Sequence, residues 1–119
     1  MSRTDKFLCW LPAGLYALVI FSSSATPAEF LPAFFPGSDK IIHFFEYLPF
    51  GLLVFRGFFR TAHISRLRSL LITIFVVILY SLSDETHQLF VPGRQFDLLD
   101  AFFDVCGATA GSLLYLWRS

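Results

Sequence analysis

Apolar positions gather into four long stretches, at about residues 7–25, 41–59, 69–90 and 98–117. Each reaches or approaches the roughly 20 residues a helix needs to cross the hydrocarbon core of a bilayer. The third contains the run Leu70–Tyr80, and the fourth is the least apolar. Pro12 and Pro49 fall inside predicted helices and are expected to kink them, which neighbours in a bundle tolerate. The connections differ in character. Thr26–Lys40 places Pro27, Pro32, Pro36 and Gly37 among Phe30, Phe34 and Phe35, which reads as an irregular stretch at the membrane surface. Arg60–Arg68 is short and basic, and Pro92-Gly93 marks a tight turn. The prediction is an all-α, polytopic membrane protein: a four-helix up-and-down bundle forming one domain over residues 1–119.

Composition strengthens this reading. Of 119 residues, 55% are hydrophobic and only 15% charged, against about 25% charged in soluble domains. A water-soluble chain of this size could not hide so much apolar surface, sixteen Phe included. The formal net charge is zero, so nucleic acid is not an expected partner; membrane lipids are. Cys9 and Cys106 lie in apolar stretches without a ligand-type motif and read as free, buried thiols.

Charge distribution predicts the orientation. Arg3, Lys6, Arg56, Arg60, Arg66, Arg68 and Arg118 fall on one side of the bundle, and only Lys40 and Arg94 on the other. Seven against two predicts both termini in the cytoplasm. The N-terminal stretch, ending in Ser22-Ser23-Ser24-Ala25, also resembles a cleavable signal peptide. Cleavage would strip the remaining three spans of their charge logic, so a retained first span is expected.

An up-and-down bundle brings the start of span two, the end of span three and the start of span four to one membrane face. Those places hold Lys40 and His43, then Asp84, Glu85 and Gln88, then Arg94, Asp97, Asp100 and Asp104. Helical spacing puts Lys40, His43, Tyr47 and Gly51 on one stripe, and Ser81, Asp84, Glu85 and Gln88 on a face of span three. Asp97, Asp100, Asp104, Gly107 and Gly111 share a face of span four. Glu46 and His87 fall beside these stripes. An acidic residue at mid-helix costs about 2.5–3.5 kcal/mol on insertion scales, so several in one place point to a functional pocket. The rival is a salt-bridged clamp that only ties helices together.

Within a pocket, Lys40, His43 and Arg94 could hold a phosphate, since Arg grips such groups through two N–H donors. The adjacent Asp84 and Glu85 are expected to keep one proton between them, a general acid beside a general base. A metal could draw on His43 and His87 with Asp84 or Glu85, but His87 leans off the acidic face and no metal motif appears. No metal or other cofactor is therefore expected. Ser81 lies a turn deeper with His43 its only base, which makes a serine nucleophile unconvincing. Four short spans offer no second gate for ion transport. Gly107-xxx-Gly111 signals close helix packing, within the chain rather than between chains. Trp10, Trp117, Tyr16 and Tyr115 read as interface anchors or lipid contacts.

Asp39-Lys40-Ile41-Ile42-His43-Phe44, with Tyr47 and Gly51, resembles the opening motif of the VanZ-like family. Asp84-Glu85-Thr86-His87-Gln88-Leu89-Phe90-Val91-Pro92-Gly93-Arg94 is similar to its second motif, and Asp97, Asp100, Gly107 and Gly111 to its third. The family pattern falls on Lys40, His43, Tyr47, Glu85, Gln88, Arg94, Asp100 and Gly107. Asp104 departs from it, since the family commonly has Asn there. The resemblance implies a multi-pass protein of the bacterial cytoplasmic membrane with an envelope role. The name-giving member is associated with low-level resistance to the glycopeptide teicoplanin. The expected ligand is a polar, phosphate-bearing or lipid-linked envelope component, held by these residues together with Asp84, Asp97 and Asp104. If there is a reaction, Glu85, Asp100 and His43 are the candidate catalytic groups.

Overall fold

The computed structural model describes residues 1–119 and contains four long helices and no strand. They are α1 (Arg3–Ser24), α2 (Ser38–Thr61), α3 (Arg66–Gln88) and α4 (Leu98–Arg118), with a single 3-10 turn at Ala28–Phe30. All four are long and apolar enough to cross a membrane. The molecule measures 45 × 26 × 20 Å, and its long dimension matches a bilayer of about 40–45 Å with headgroups.

Local chemistry sets the helix starts. Ser2 and Asp5 form a reciprocal capping box, Ser65 accepts the Arg68 N–H, and Asp97 accepts the Leu99 N–H. Gly37 opens α2 at φ 83°, a conformation that suits glycine. Helix α2 therefore starts at Ser38, three residues before the expected apolar boundary, and takes Lys40 into its first turn. Helix α3 stops at Gln88, so Leu89 and Phe90 belong to the turn. Both α1 and α2 remain helical through Pro12 and Pro49.

The interior is unusually polar. Twelve of the 27 buried residues are polar or charged, while Leu15, Leu18, Phe45, Phe75, Leu79, Phe102 and Leu113 are exposed. Such an arrangement is stable only where the surroundings are themselves apolar, as in lipid. The protein is thus a multi-pass membrane protein whose outward side chains meet acyl chains.

Helix α4 packs mainly on α2. A side chain at Gly107 would collide with the Phe44 carbonyl, one at Gly111 with the Leu48 carbonyl, and one at Gly51 with the Ala108 backbone. Glycine at these positions lets the two backbones touch within the chain. An apolar cluster of Ala13, Ile20, Tyr47, Phe50, Val54, Val77 and Ala108 joins all four helices. Trp10, Tyr16 and Tyr115 are interhelical rather than lipid anchors. Trp10 donates to Thr61 Oγ1 at 3.1 Å, the Tyr16 hydroxyl donates to the Glu46 carbonyl, and Tyr115 packs on Phe55 and Phe59. Trp117 alone of the four is largely exposed, at 76%.

Several hydroxyl groups are satisfied within their own helix, while Ser81 and Ser112 also bond across to a neighbouring one. Thr61, Thr73, Thr86, Thr109 and Ser112 each donate to a carbonyl four residues back in their own helix. Lys40 and His43 reach instead to Asp97, Asp100 and Asp104, 57–61 positions away, although Lys40 also bonds Asp39 beside it.

Candidate functional site

One end of the bundle gathers the acidic residues. Asp39, Glu46, Asp84, Glu85, Asp97, Asp100 and Asp104 lie there with Lys40, His43 and Arg94. We call it the polar end, and the opposite one the basic end.

Lys40, in the first turn of α2, donates all three of its ammonium protons: to Asp39 at 2.8 Å, Asp97 at 2.7 Å and Asp100 at 2.5 Å. This bonding holds the Asp97 carboxyl, outside the helices, below its ordinary value of 3.8. One turn deeper, His43 lies between two carboxylates: Nδ1 is 2.7 Å from Asp104 Oδ1 and Nε2 is 3.7 Å from Asp100 Oδ2. Asp104 Oδ2 accepts from the Ser81 hydroxyl at 2.7 Å. A carboxylate thus stands between the serine and the imidazole, which is the wrong order for a base-activated serine. Tyr47, deeper again, donates to Asp84 Oδ2 at 3.3 Å.

Adjacent helical residues point about 100° apart, and Asp84 and Glu85 accordingly take different partners. No hydrogen bond joins them. Glu85 Oε2 accepts from the Asp97 backbone N–H at 3.2 Å. Gln88, oriented to satisfy both neighbours, donates to Glu85 Oε2 at 3.3 Å and accepts from Arg94 Nη2 at 2.5 Å. Glu85 Oε1 is fully buried and has no hydrogen-bond partner. Arg94 Nη1 donates to the carbonyls of Thr26 at 2.9 Å and Ser23 at 3.4 Å, tying the α3–α4 turn to the end of α1.

The 25–37 connection folds over this end. The Ala28 N–H donates to the Pro92 carbonyl at 3.2 Å, and the two connections meet where Gly93, at φ 76°, leaves room for Ala28. Phe30, Phe34 and Phe35 point outward. Beneath the connection lies a cavity of about 230 Å³, walled by Ala28, Leu31 and Pro32 above and by His43, Glu46, Asp100 and Arg94 below. A wider hollow of about 400 Å³ at the basic end borders Asp5, Arg56 and Arg60, none of them buried.

Of the residues expected to converge, Lys40, His43, Tyr47, Asp84, Glu85, Gln88, Arg94, Asp97, Asp100 and Asp104 all lie at the polar end. His87 does not join them. It stacks on Phe21 with ring centroids 4.5 Å apart, and its Nδ1 lies 3.4 Å from Ser24 Oγ. A metal site through His87 is thereby excluded. What does converge is His43, Glu85 and Asp104, with one donor atom from each within 4.8 Å of the other two.

Sequence reasoning undervalued Glu46, which lines the cavity. Its position three residues after His43 was the available signal. The apolar roof had no comparable signal, because an irregular connection has no periodicity to follow.

No curated protein and no solved structure matches this chain significantly. A sequence model of the VanZ/LLP1 family matches residues 7–119, nearly the whole length. With that span covered, four membrane-crossing helices and the motif residues gathered at one end, the chain belongs to the VanZ/LLP1 family.

Proposed function

We propose that this VanZ-type envelope protein binds the headgroup of a polar envelope lipid, phosphate-bearing or lipid-linked, in the cavity under the 25–37 connection. The observation that carries the proposal is the cavity wall, where Arg94, His43, Glu46 and Asp100 line one partly open cavity beneath an apolar roof. Pockets usually pair a largely apolar lining with a few placed polar groups. At about 230 Å³ the cavity is smaller than the 300–1,000 Å³ typical of drug-sized ligands. A headgroup fits it, with the acyl chains left in the bilayer.

Arg94 is the anion contact. Lys40 has every proton engaged by a carboxylate and acts through Asp97 and Asp100, which it holds in place. In this reading both termini face the cytoplasm, where seven of the nine Lys and Arg residues cluster. The cavity then opens at the outer leaflet of the bacterial cytoplasmic membrane. A second reading is an enzyme acting on the same lipid-linked group. It is favoured by the His43–Asp104 hydrogen bond, an imidazole held by a buried carboxylate at the cavity wall.

The test is thermal stability of detergent-purified wild type, Glu46→Gln and Arg94→Ala, each screened with lipid phosphates and lipid-linked cell-wall precursors. Stabilisation of wild type that either variant lacks is the expected result. Equal behaviour of all three, with unchanged envelope phenotypes and teicoplanin susceptibility in cells, overturns the reading. Turnover of the precursor by purified protein would select the enzymatic version.

A further inference from the structure

We infer that His43, Glu85 and Asp104 form a site for one divalent transition-metal ion, of the Zn²⁺ or Mn²⁺ class. The first observation is the donor geometry: an imidazole nitrogen and two carboxylate oxygens, from three different helices, all within 4.8 Å of one another. Bonds of about 2.0–2.6 Å let one ion span about 4–5 Å between opposite ligands, so a small closure brings all three into reach. The donors are deeply enclosed, with His43 7% exposed and Glu85 and Asp104 not at all.

The second observation is independent. Glu85 Oε1 is buried and unpartnered, although Oε2 of the same carboxyl is bonded to the Asp97 N–H. Whether that oxygen carries a proton or a charge, it needs a partner, and an unsatisfied buried polar atom requires an explanation. A cation between Glu85, His43 and Asp104 supplies one. Charge balance agrees: eight carboxyl groups at this end, the exposed Glu29 included, face only two permanent cations, Lys40 and Arg94. Lys40 serves Asp39, Asp97 and Asp100, which leaves Glu85 and Asp104 without a permanent cation in contact.

The donor types select the class of ion. Imidazole suits Zn²⁺ and its neighbours, and carboxylate suits Mn²⁺, Mg²⁺ and Ca²⁺. One of the first with two of the second favours an ion tolerant of both. Surrounding groups already fit a ligand role. Ser81 bonds the second oxygen of Asp104, and Gln88 and the Asp97 N–H bond the second oxygen of Glu85. Such outer contacts orient metal-binding carboxylates. Binding displaces the proton shared by His43 and Asp104 and releases it to solvent. His43 also lines the cavity, which gives the ion its route from the surface.

The experiment uses the detergent-purified full chain, stripped with EDTA and equilibrated with Zn²⁺ or Mn²⁺ alone, without lipid. Elemental analysis is expected to find about one ion per chain, and Glu85→Gln or Asp104→Asn to weaken binding about a hundredfold. Asp39→Asn, which alters an exposed carboxylate at the same end, retains the ion. Pulsed electron paramagnetic resonance of the Mn²⁺-loaded wild type is expected to show coupling to an imidazole nitrogen, and needs no variant to fold. Loss of the ion on dialysis, absence of nitrogen coupling, or unweakened binding in a folded Glu85→Gln each overturns the inference. Lipid stabilisation that persists in EDTA, with no ion bound by metal alone, would remove the metal site and leave the lipid reading intact. Ion binding without any lipid response would do the reverse.

Discussion

Helices α2 and α4 meet twice, in two different ways. Near the polar end they meet through charge: Lys40 reaches Asp97 and Asp100, and His43 reaches Asp104. Further along they meet backbone to backbone, with Gly107 under Phe44, Gly111 under Leu48 and Gly51 against Ala108. Ser112 adds a hydrogen bond to the Gly51 carbonyl at 3.3 Å. In lipid no hydrophobic effect drives helices together, so close packing and hydrogen bonds must do so. The glycine contacts meet part of that need between α2 and α4. The charged contacts bury groups that cost energy to bury, and a clamp built from glycine does not require them. The two kinds of contact differ in cost: the glycine seam buries backbone against backbone, whereas the polar cluster buries charged groups that need partners.

The comparison breaks most severely at the glycines. Gly107→Leu or Gly111→Leu drives a side chain into backbone that cannot move aside, and is expected to cost about 3 kcal/mol or more. Thermal melts and the monodisperse fraction in detergent will read this. A fully folded Gly111→Leu would show that the seam is loose.

Next comes Lys40→Met, which leaves Asp100 nearly buried beside Asp39 and Asp97 without a cation. Breaking a buried pair costs about 3–5 kcal/mol. The other two carboxylates keep 58% and 40% of their side-chain exposure, so about 2 kcal/mol is expected here. Adding Asp100→Asn should recover about half of it, measured as a double-mutant cycle.

Glu85→Gln sharpens the contrast. It preserves shape and replaces a buried carboxyl by a neutral amide, so stability is expected to stay within about 1 kcal/mol of wild type, or to rise. A clamp role would require a clear loss.

The smallest effect belongs to Asp97, whose folded carboxyl lies below 3.8 because Lys40 bonds it. A lowered folded value makes its contribution complete above the unfolded value and lost as pH falls through the folded one. Asp97→Asn is therefore expected to cost about 0.5 kcal/mol at neutral pH. The difference from wild type should vanish in melts run well below pH 3.8.

The residues themselves explain what the sequence made legible. Length and apolarity announced the four helices because lipid tolerates few alternatives. Helical spacing brought Lys40, His43, Tyr47 and the α3 and α4 carboxylates to one level, since each stripe repeats every three or four positions. Pairing within that level was not legible. Whether Lys40 would meet a phosphate or three carboxylates depended on the rotation of α4, which Gly107 and Gly111 set by backbone contact. The direction of His87 depended on the position of α1, which carries no ionisable partner for it but offers Phe21. The roof of the cavity is tied by the Ala28 N–H to the Pro92 carbonyl, by Arg94 on the Thr26 carbonyl and by the room left by Gly93.

The long sequence separation between Lys40 and His43 on α2 and Asp100 and Asp104 on α4 bears on how the protein is made. Lys40 and His43 emerge from the ribosome about 60 residues before Asp100 and Asp104. At about 5–20 residues per second, that interval lasts about 3–12 s. During it, α2 waits in the insertion machinery or at its lipid boundary with Lys40 paired only to Asp39 and with His43 lacking Asp104, while Thr61 already has its bond. Our hypothesis is that α2 is retained by that machinery until α4 is synthesised. Crosslinking of α2 on chains stalled before Leu98, lost once α4 has been synthesised and the chain released, is the expected signature. Early release of α2 from the stalled chains would reject it. Biogenesis, more than final stability, would then limit how many carboxylates this bundle can carry.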